Sequence, residues 1–156
     1  MAESLQDNIQ NTATTIKLPP NSQEAEQSVL GGLMLNDQHW FDLVDILQPS
    51  DFYRNQHQLI YQAMIELANQ DEALDAVTVS EKLKSKAILE KAGGIEYLGQ
   101  LAESSTGASN VLAYARIIRE RSVLRQLIGA ANQIADSAFS TEGKNSDSLL
   151  EQAEQA

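Results

Sequence analysis

The fold is decided first by one stretch, Leu18-Pro19-Pro20-Asn21-Ser22-Gln23-Glu24-Ala25-Glu26-Gln27-Ser28-Val29-Leu30-Gly31-Gly32-Leu33-Met34-Leu35. Its two prolines hold the chain extended and prevent a helix from beginning before them. Asn21 is the predicted N-cap, and Glu24 and Glu26 lie at the positive end of the helix dipole. Apolar residues then recur at helical spacing. The stretch therefore predicts a helix that begins directly after the proline pair.

Gly31 and Gly32 lie inside this predicted helix, where each costs about 1 kcal/mol relative to alanine. Such a cost indicates that another part of the protein approaches the helix closely at this point. The pair therefore predicts a core helix whose glycines admit a neighbouring element. Nothing in the stretch indicates catalysis.

A second helix is predicted from about residue 37 to residue 47, because apolar residues recur on one side of it and Pro49 ends it. That side carries Trp40, Phe41, Val44 and Leu47. Aromatic residues in such a pattern are more often part of a core than a platform for a ligand. We therefore expect both Trp40 and Phe41 in the core.

Three further signals divide the middle of the chain. Asn55 with Gln58 predicts the cap of a third helix, Asp75 caps a fourth, and Gly93-Gly94 forms a turn that starts a fifth. No alternation typical of strands occurs in the sequence. The predicted fold class is therefore all-α, with a compact helical head at residues 18–105.

Residues 1–17 lack periodicity and are predicted to be a disordered N-terminal arm.

The longest predicted helix runs from Ser109 to about Phe139 and contains only a tolerable glycine, Gly129. At 1.5 Å per residue it would be about 45 Å long, so part of it must project from the head. One side of it alternates steps of three and four residues, as helices packed side by side require. This seam consists of Tyr114, Ile117, Arg121, Leu124, Ile128, Ala131, Ala135 and Ala138, of which the first six form the predicted self-association interface. Residues 106–140 are thus predicted to be the long helix of an oligomerisation hairpin.

The 156 residues carry a formal net charge of −11. Because affinity for nucleic acid comes mainly from Lys and Arg, this charge argues against direct DNA binding. One basic cluster, Arg116, Arg119, Arg121 and Arg125, lies around Glu120 and favours a solvated or interfacial charge network over a phosphate track. The sequence has no cysteine, which excludes disulfides and fits a cytoplasmic protein. No apolar run is long enough to span a membrane.

No catalytic, metal-binding or nucleotide-binding residue is predicted in this segment. Gly143-Lys144-Asn145 lacks the earlier glycine and the hydroxyl residue of a phosphate-binding loop and is predicted to be a turn. His39 and His57 are the only histidines, and neither has the spacing of metal ligands. We expect both to be surface or half-buried packing residues.

Several blocks of sequence resemble, in the same order, the amino-terminal domain of DnaB-type replicative DNA helicases. The opening stretch is the first, and the others are Asp-Phe-Tyr at 51–53, Gly-Gly-Ile-Glu-Tyr-Leu at 93–98 and Tyr-Ala-Arg-Ile-Ile-Arg-Glu-Arg-Ser-Val-Leu-Arg at 114–125. The resemblance covers nearly the whole chain from residue 17. It concerns the accessory domain of these helicases and not the motor.

The resemblance implies a role in assembly. In that family this domain pairs with its copy in a neighbouring subunit, forms a collar above a hexameric ATPase ring and presents a surface to primase. The implied partners are therefore a second copy within a hexamer, primase and, as a further candidate, a helicase loader. DNA, ATP and Mg²⁺ would be bound by an absent motor domain. Residues 141–156 would form a turn and the start of the linker to that motor, with Leu149 and Leu150 docking on the next motor domain.

A helical adaptor or regulator without any motor is the alternative reading. Continuation of the gene past Ala156 into a Gly-rich phosphate loop would separate the two, because only the helicase needs one. An enzyme acting through its own site is a third reading. A hydrolysis assay on this segment tests it.

Overall fold

The computed structural model of the chain describes residues 17–105, 110–140 and 146–156. In these ranges the backbone forms seven α-helices, one 3-10 helix and no strand, which confirms the all-α fold class. The α-helices are α1 (Gln23–Leu35), α2 (Trp40–Ile46), α3 (Asn55–Asn69), α4 (Ala76–Ser85), α5 (Gly94–Ser104), α6 (Val111–Phe139) and α7 (Ser146–Gln155), and the 3-10 helix is Pro49–Asp51. The predicted arm up to residue 16 and the predicted turn at Gly143-Lys144-Asn145 lie outside the described residues.

The N-cap of α1 is Ser22, whose hydroxyl accepts a hydrogen bond from the backbone N–H of Ala25 at 3.2 Å. Asn21, the predicted cap, instead donates through its side-chain amide to the carbonyl of Pro19 at 2.9 Å. Both residue types can cap a helix, so composition does not separate neighbouring candidates. The prediction of the helix start was therefore correct and that of the capping residue wrong by one position.

The starts of α3 and α4 differ in how well they were predicted. Asp75 caps α4 by accepting from two backbone N–H groups of its first turn at 2.9 Å, which confirms the prediction. The predicted capping pair of α3 does not form, because Asn55 is already helical and the amide of Gln58 donates to the carbonyl of Phe52 at 2.7 Å. Gln58 thus attaches α3 to the preceding connector instead of closing its first turn.

Gly93 and Gly94 form the turn that starts α5, as predicted. Their φ angles of 106° and 78° lie in the left-handed region, which side-chain-bearing residues seldom adopt. A Cβ atom on Gly93 would also lie 2.7 Å from Cδ2 of Tyr97. The backbone at this turn therefore requires glycine.

α2 is shorter than predicted, and its two aromatic residues have opposite environments. Trp40 is 7% exposed and packs on Tyr61 with ring centroids 5.7 Å apart, whereas Phe41 is 81% exposed. Successive helical residues are about 100° apart around the axis, so a short helix on the surface buries one of the two. The prediction of a core position was right for Trp40 and wrong for Phe41.

The five helices from α1 to α5 and the first turns of α6 share one hydrophobic core. α1 lies at its centre, with Val29, Leu30 and Leu33 at most 1% exposed. α6 contributes Val111, Ala115 and Ile118 to the same core. The long helix therefore begins against the head and leaves it only further along.

The glycine pair of α1 is the point of closest approach between helices. A Cβ atom on Gly31 would overlap the backbone carbonyl of Leu101 in α5, and one on Gly32 would lie 2.7 Å from Cγ2 of Val111 in α6. The missing side chains therefore let two different helices contact the same face of α1. This confirms the prediction of a core helix with close neighbours.

We expect Leu33→Ala and Met64→Ala each to lower the free energy of unfolding by about 2–5 kcal/mol. Both side chains are in the core, 1% and 0% exposed, so truncation removes apolar contacts and leaves a cavity. Denaturant titration followed by circular dichroism measures the change. Leu35→Ala, 55% exposed in the same helix as Leu33, is the control and should change stability by less than about 0.5 kcal/mol. Losses below about 1 kcal/mol at both buried sites would contradict this core.

Candidate interaction surface

α6 has two parts with different surroundings. The first part faces the head with Val111, Ala115, Ile118 and Ser122, each at most 3% exposed. These residues are spaced by four, three and four positions, so they occupy one side of the helix. Beyond Ser122 no described residue of α6 is buried. The second part of the helix therefore projects from the head.

Asp51 fastens the head to α6 near the point where the helix leaves it. Its carboxylate is almost fully buried and accepts through Oδ1 from the guanidinium of Arg119 at 2.8 Å and from the hydroxyl of Ser122 at 2.7 Å. Oδ2 accepts from the backbone N–H of Gln48 at 2.8 Å. Both carboxylate oxygens thus have donors, as a buried charge requires.

Arg125 makes a second attachment one turn further along. Its guanidinium donates to the carbonyl of Pro20 and to the backbone carbonyl of Asp51, both at 2.7 Å, and lies over the ring of Tyr53 at 5.4 Å from the centroid. Arg119 and Arg125 thus bind a buried carboxylate and two backbone carbonyls of the same chain, whereas a solvated or interfacial network around Glu120 was predicted. Among the described residues, Arg121 makes only a long contact with Glu120, at 3.8 Å.

We expect Arg125→Ala to lower the free energy of unfolding by about 1–2 kcal/mol, because two carbonyls lose a charged donor and Tyr53 loses its cation. Arg116→Ala is the matched control, since Arg116 is an exposed arginine of the same helix. Its effect should stay within about 0.5 kcal/mol. Thermal and denaturant unfolding of the two variants give the comparison, and equal losses would contradict the role of Arg125.

Tyr61 stabilises the connector between α2 and α3. Its hydroxyl donates to the carbonyl of Leu47 at 2.9 Å, and its ring centroid lies 5.0 Å from that of Phe52. Burial, and then the charge of Asp51, raises the pKa of this phenol. Tyr61 therefore remains a neutral donor.

A buried polar cluster, which was not predicted, lies inside the head. His57 is fully buried, with Nδ1 2.7 Å from Oε1 of Glu26 and Nε2 2.6 Å from the hydroxyl of Tyr97. Glu26 also accepts from the backbone N–H groups of Tyr53 and Arg54 at 3.0 and 3.4 Å. The cluster joins α1, α3 and α5, and with both ring nitrogens engaged His57 offers no site for a substrate.

The expectation of a surface or half-buried His57 was wrong, whereas His39 is half-buried as expected. A signal for the cluster was present in the sequence. Glu26 precedes Leu30 by four positions, and His57 precedes Ile60 by three, so each lies on the apolar side of its helix. A carboxylate and an imidazole in such positions indicate a buried pair, because either alone would be costly to bury.

The second part of α6 exposes apolar side chains along one side, here called the distal stripe: Leu124, Leu127, Ile128, Ala131 and Ile134. Its four larger side chains are 38%, 61%, 47% and 42% exposed, in sequence order. Contiguous apolar surface of this kind on a projecting helix is typical of a protein–protein contact. The distal stripe is the candidate interaction surface of the chain.

The six predicted interface residues are divided between the two parts of α6. Tyr114 and Ile117 are half-buried and pack against the core, Arg121 is half-buried beside Glu120, and Leu124, Ile128 and Ala131 lie in the distal stripe. Leu127 and Ile134 were not predicted to belong to the interface. The predicted seam advances along the helix by three and four residues in strict alternation, so it passes beside these two positions. A wider pattern of positions i, i+3 and i+4 includes both.

A groove continues from the distal stripe towards the beginning of the described chain. It has a volume of about 560 Å³ and is lined by Lys17, Leu18, Pro19, Tyr53, Arg125, Ile128, Gly129 and Asn132. Leu18 at its edge is 74% exposed. The apolar surface open to a partner thus extends from α6 to the residues that precede α1.

α7 lies beside the end of α6, so the two helices form a hairpin. A narrow cleft between them is lined by Gln133, Ile134, Ser137, Leu149, Gln152, Ala153 and Ala156. The two predicted linker residues differ in environment, since Leu149 is half-buried at this cleft and Leu150 is 64% exposed. Of the two, Leu150 has the larger surface available for a further contact.

Within the described ranges, no group of three or more His, Cys, Asp or Glu side chains is arranged to hold a metal ion. Among the helices found there, none is both long and apolar enough to cross a membrane.

Comparison with known proteins identifies relatives of the chain. Residues 18–120 match the family model of the DnaB-like helicase N-terminal domain. The chain is 40% identical over 139 residues to the replicative DNA helicase DnaB of Haemophilus influenzae and 44% identical over 138 residues to that of Geobacillus stearothermophilus. These matches cover 89% and 88% of this chain but 30% of each relative, so the chain spans about 30% of the length of the curated relatives it matches.

Solved structures show the same fold. The crystal structure of the N-terminal domain of DnaB helicase from Mycobacterium tuberculosis superposes with a TM-score of 0.84 at 35% identity, over 88% of this chain and 96% of that one. The N-terminal domain of DnaB helicase from Helicobacter pylori, described together with its interactions with primase, gives a TM-score of 0.62 at 28% identity. That superposition covers 74% of this chain and 89% of the other.

Proposed function

The chain belongs to the family of DnaB-like helicase N-terminal domains, and we propose that it is the oligomerisation and primase-interaction domain of a replicative DNA helicase. The observation that carries the proposal is an exposed apolar stripe on a helix that projects from an otherwise well-packed head. Unwinding of DNA with ATP and Mg²⁺ would belong to a motor domain beyond these residues. This segment itself organises partners and catalyses nothing.

In this proposal the chain divides into an arm at residues 1–17, a head at 18–105, the long helix at 106–140, and a turn with the start of a linker at 141–156. Two copies pair through the distal stripe, and three such pairs form a hexameric collar. Tyr114 and Ile117 support the base of the hairpin, and Arg121 lies at its border. Leu150, more exposed than Leu149, makes the contact with the next motor domain.

Interaction with primase is supported by the structural likeness to the Helicobacter pylori domain, whose described interactions include primase. Isothermal titration of the 156-residue chain with the primase encoded in the same genome tests it. We expect saturable binding with a dissociation constant in the micromolar range or tighter, the range of transient complexes. Absence of heat at high micromolar concentrations of both proteins, with the chain shown to be folded and dimeric, would contradict the primase role.

The likeness to replicative DNA helicases does not favour the alternative, a stand-alone adaptor encoded by a gene that ends at Ala156. Continuation into a phosphate-binding loop favours the helicase. We place the full protein in the cytoplasm. We also keep a helicase loader as a candidate partner, to be tested by adding it to the complex with primase.

We expect the chain to show no ATPase activity, because its sequence lacks a Gly-rich phosphate loop. We also expect no appreciable affinity for single-stranded DNA at about 150 mM salt, because its net charge of −11 opposes phosphate binding. Fluorescence anisotropy with a labelled oligonucleotide measures the affinity. The control variant replaces Arg116 and Arg121, the two arginines of the basic cluster that do not fasten α6 to the head. Submicromolar binding that is lost in Arg116→Ala with Arg121→Ala would contradict the expectation.

A further inference from the structure

A groove beside α2 has no part in the surfaces described so far. It is named the α2 groove, has a volume of about 360 Å³, and is lined by Asp37, Gln38, Trp40, Phe41, Ala68, Asp71, Glu72 and Leu74. Phe41 is among the most exposed large apolar side chains of the described residues, at 81%. An exposed aromatic side chain at the edge of a groove is a typical anchor point for a partner's side chain.

The border of the α2 groove is negative on both sides. Asp37 comes from the segment before α2, and Asp71 and Glu72 come from the segment after α3; all three are exposed. Neither 36–53 nor 66–75 contains a lysine or arginine. No ion pair in the described part of the chain neutralises these three carboxylates. The groove therefore combines four apolar side chains, those of Trp40, Phe41, Ala68 and Leu74, with an uncompensated acidic border.

Asp71 has a backbone conformation that glycine would adopt more readily. Its φ of 56° is left-handed, and it follows the end of α3, where glycine is the usual residue. Its backbone N–H donates to the carbonyl of Ala68 at 3.1 Å, as in a helix-terminating turn. Asp71→Gly would therefore remove the carboxylate without straining the fold, which separates a role in binding from a role in stability.

We propose that the α2 groove is a docking site for a basic segment of another protein, which inserts an apolar side chain beside Phe41 while its Lys or Arg residues approach Asp37, Asp71 and Glu72. Charge complementarity selects this occupant, because an acidic border repels acidic partners and accelerates encounter with basic ones. The chain's own arm does not fit, since residues 1–16 contain Glu3 and Asp7 and no lysine or arginine. A second copy of a chain with a net charge of −11 fits less well for the same reason.

Trp40 makes the test direct, because it is the only tryptophan of the chain and lines the groove. The probe is a synthetic peptide with a central leucine–phenylalanine pair flanked by lysines. Two control peptides replace either the lysines by glutamates or the apolar pair by glycine and serine. We expect a saturable change in Trp40 fluorescence with the first peptide only, weakened as salt is raised.

Two variants and one control assign the binding to the groove. Phe41→Ser and Asp71→Gly should each weaken peptide binding at least tenfold, and Asp71→Gly should not lower the melting temperature. Ile95→Ser changes an apolar side chain that is 62% exposed elsewhere on the head and should bind as the unchanged chain does. Binding by Phe41→Ser at unchanged affinity would overturn the proposal, as would equal binding of the lysine peptide without its apolar pair. Loss of self-association in Phe41→Ser without any peptide response would assign the groove to a second copy and also overturn it.

Discussion

Gly31→Ala is expected to lower the free energy of unfolding by about 3 kcal/mol, a large effect for the addition of one methyl group. The added Cβ would overlap the backbone carbonyl of Leu101 and lie 3.1 Å from Cβ of Ser105. A backbone carbonyl inside a helix cannot rotate away, so α1 and α5 would have to separate. That separation would loosen the core on both sides of the contact. Chemical denaturation of the variant and the unchanged chain measures the difference.

Two other glycines provide a graded comparison. At Gly32 the obstacle is a methyl group of Val111, a side chain that can shift, so we expect a smaller loss from Gly32→Ala. At Gly129, in the exposed part of α6, nothing lies within 4 Å of an added Cβ. Gly129→Ala should therefore raise stability by about 0.5–1 kcal/mol through helix propensity. A Gly31→Ala variant as stable as Gly129→Ala would contradict the close contact between α1 and α5.

The features that were predicted correctly are those that depend on neighbouring residues in the sequence. The cap at Asp75, the turn at Gly93-Gly94 and the uninterrupted helix through Gly129 each follow from signals within one or two turns. The glycine pair of α1 likewise indicated a close contact. It could not indicate that the contacting residues are Leu101 and Val111, because that depends on how distant helices pack.

The features that were missed depend on residues far apart in the chain. Asp51 and Arg119 are 68 positions apart, and Glu26 and His57 are 31 apart. Periodicity places Glu26, His57 and Arg119 each on one side of a helix but does not identify the partner across the core. The same limit explains why the exposure of Phe41 was not predicted. The short helix α2 buries only one side against the head, and periodicity does not decide which of two neighbouring aromatic residues lies on that side. It also explains why the predicted seam of α6 included residues that face the head.

Leu124→Glu is expected to weaken self-association at least about 100-fold, because an unpaired carboxylate inside an interface costs about 3–5 kcal/mol. Leu124 is 38% exposed in the single chain, so the glutamate can reach water when the chain is monomeric. The helical circular dichroism spectrum should therefore be retained. The free energy of unfolding of the monomer should change by less than about 1 kcal/mol.

Ile95→Glu is the matched control for this variant. Ile95 is 62% exposed on the head, outside the distal stripe, so the same kind of charge is introduced at another apolar surface position. We expect this control to associate as the unchanged chain does. Equal weakening by the two substitutions would indicate a general effect of added negative charge instead of a specific interface.

Sedimentation equilibrium of the unchanged chain and of Leu124→Glu, at equal high micromolar concentrations, tests the assembly role most directly. If the distal stripe is the interface, the unchanged chain is a dimer and the variant is a folded monomer. A monomeric unchanged chain across that concentration range would contradict it, and so would a Leu124→Glu variant that loses its helical structure, because the residue would then belong to the intramolecular core.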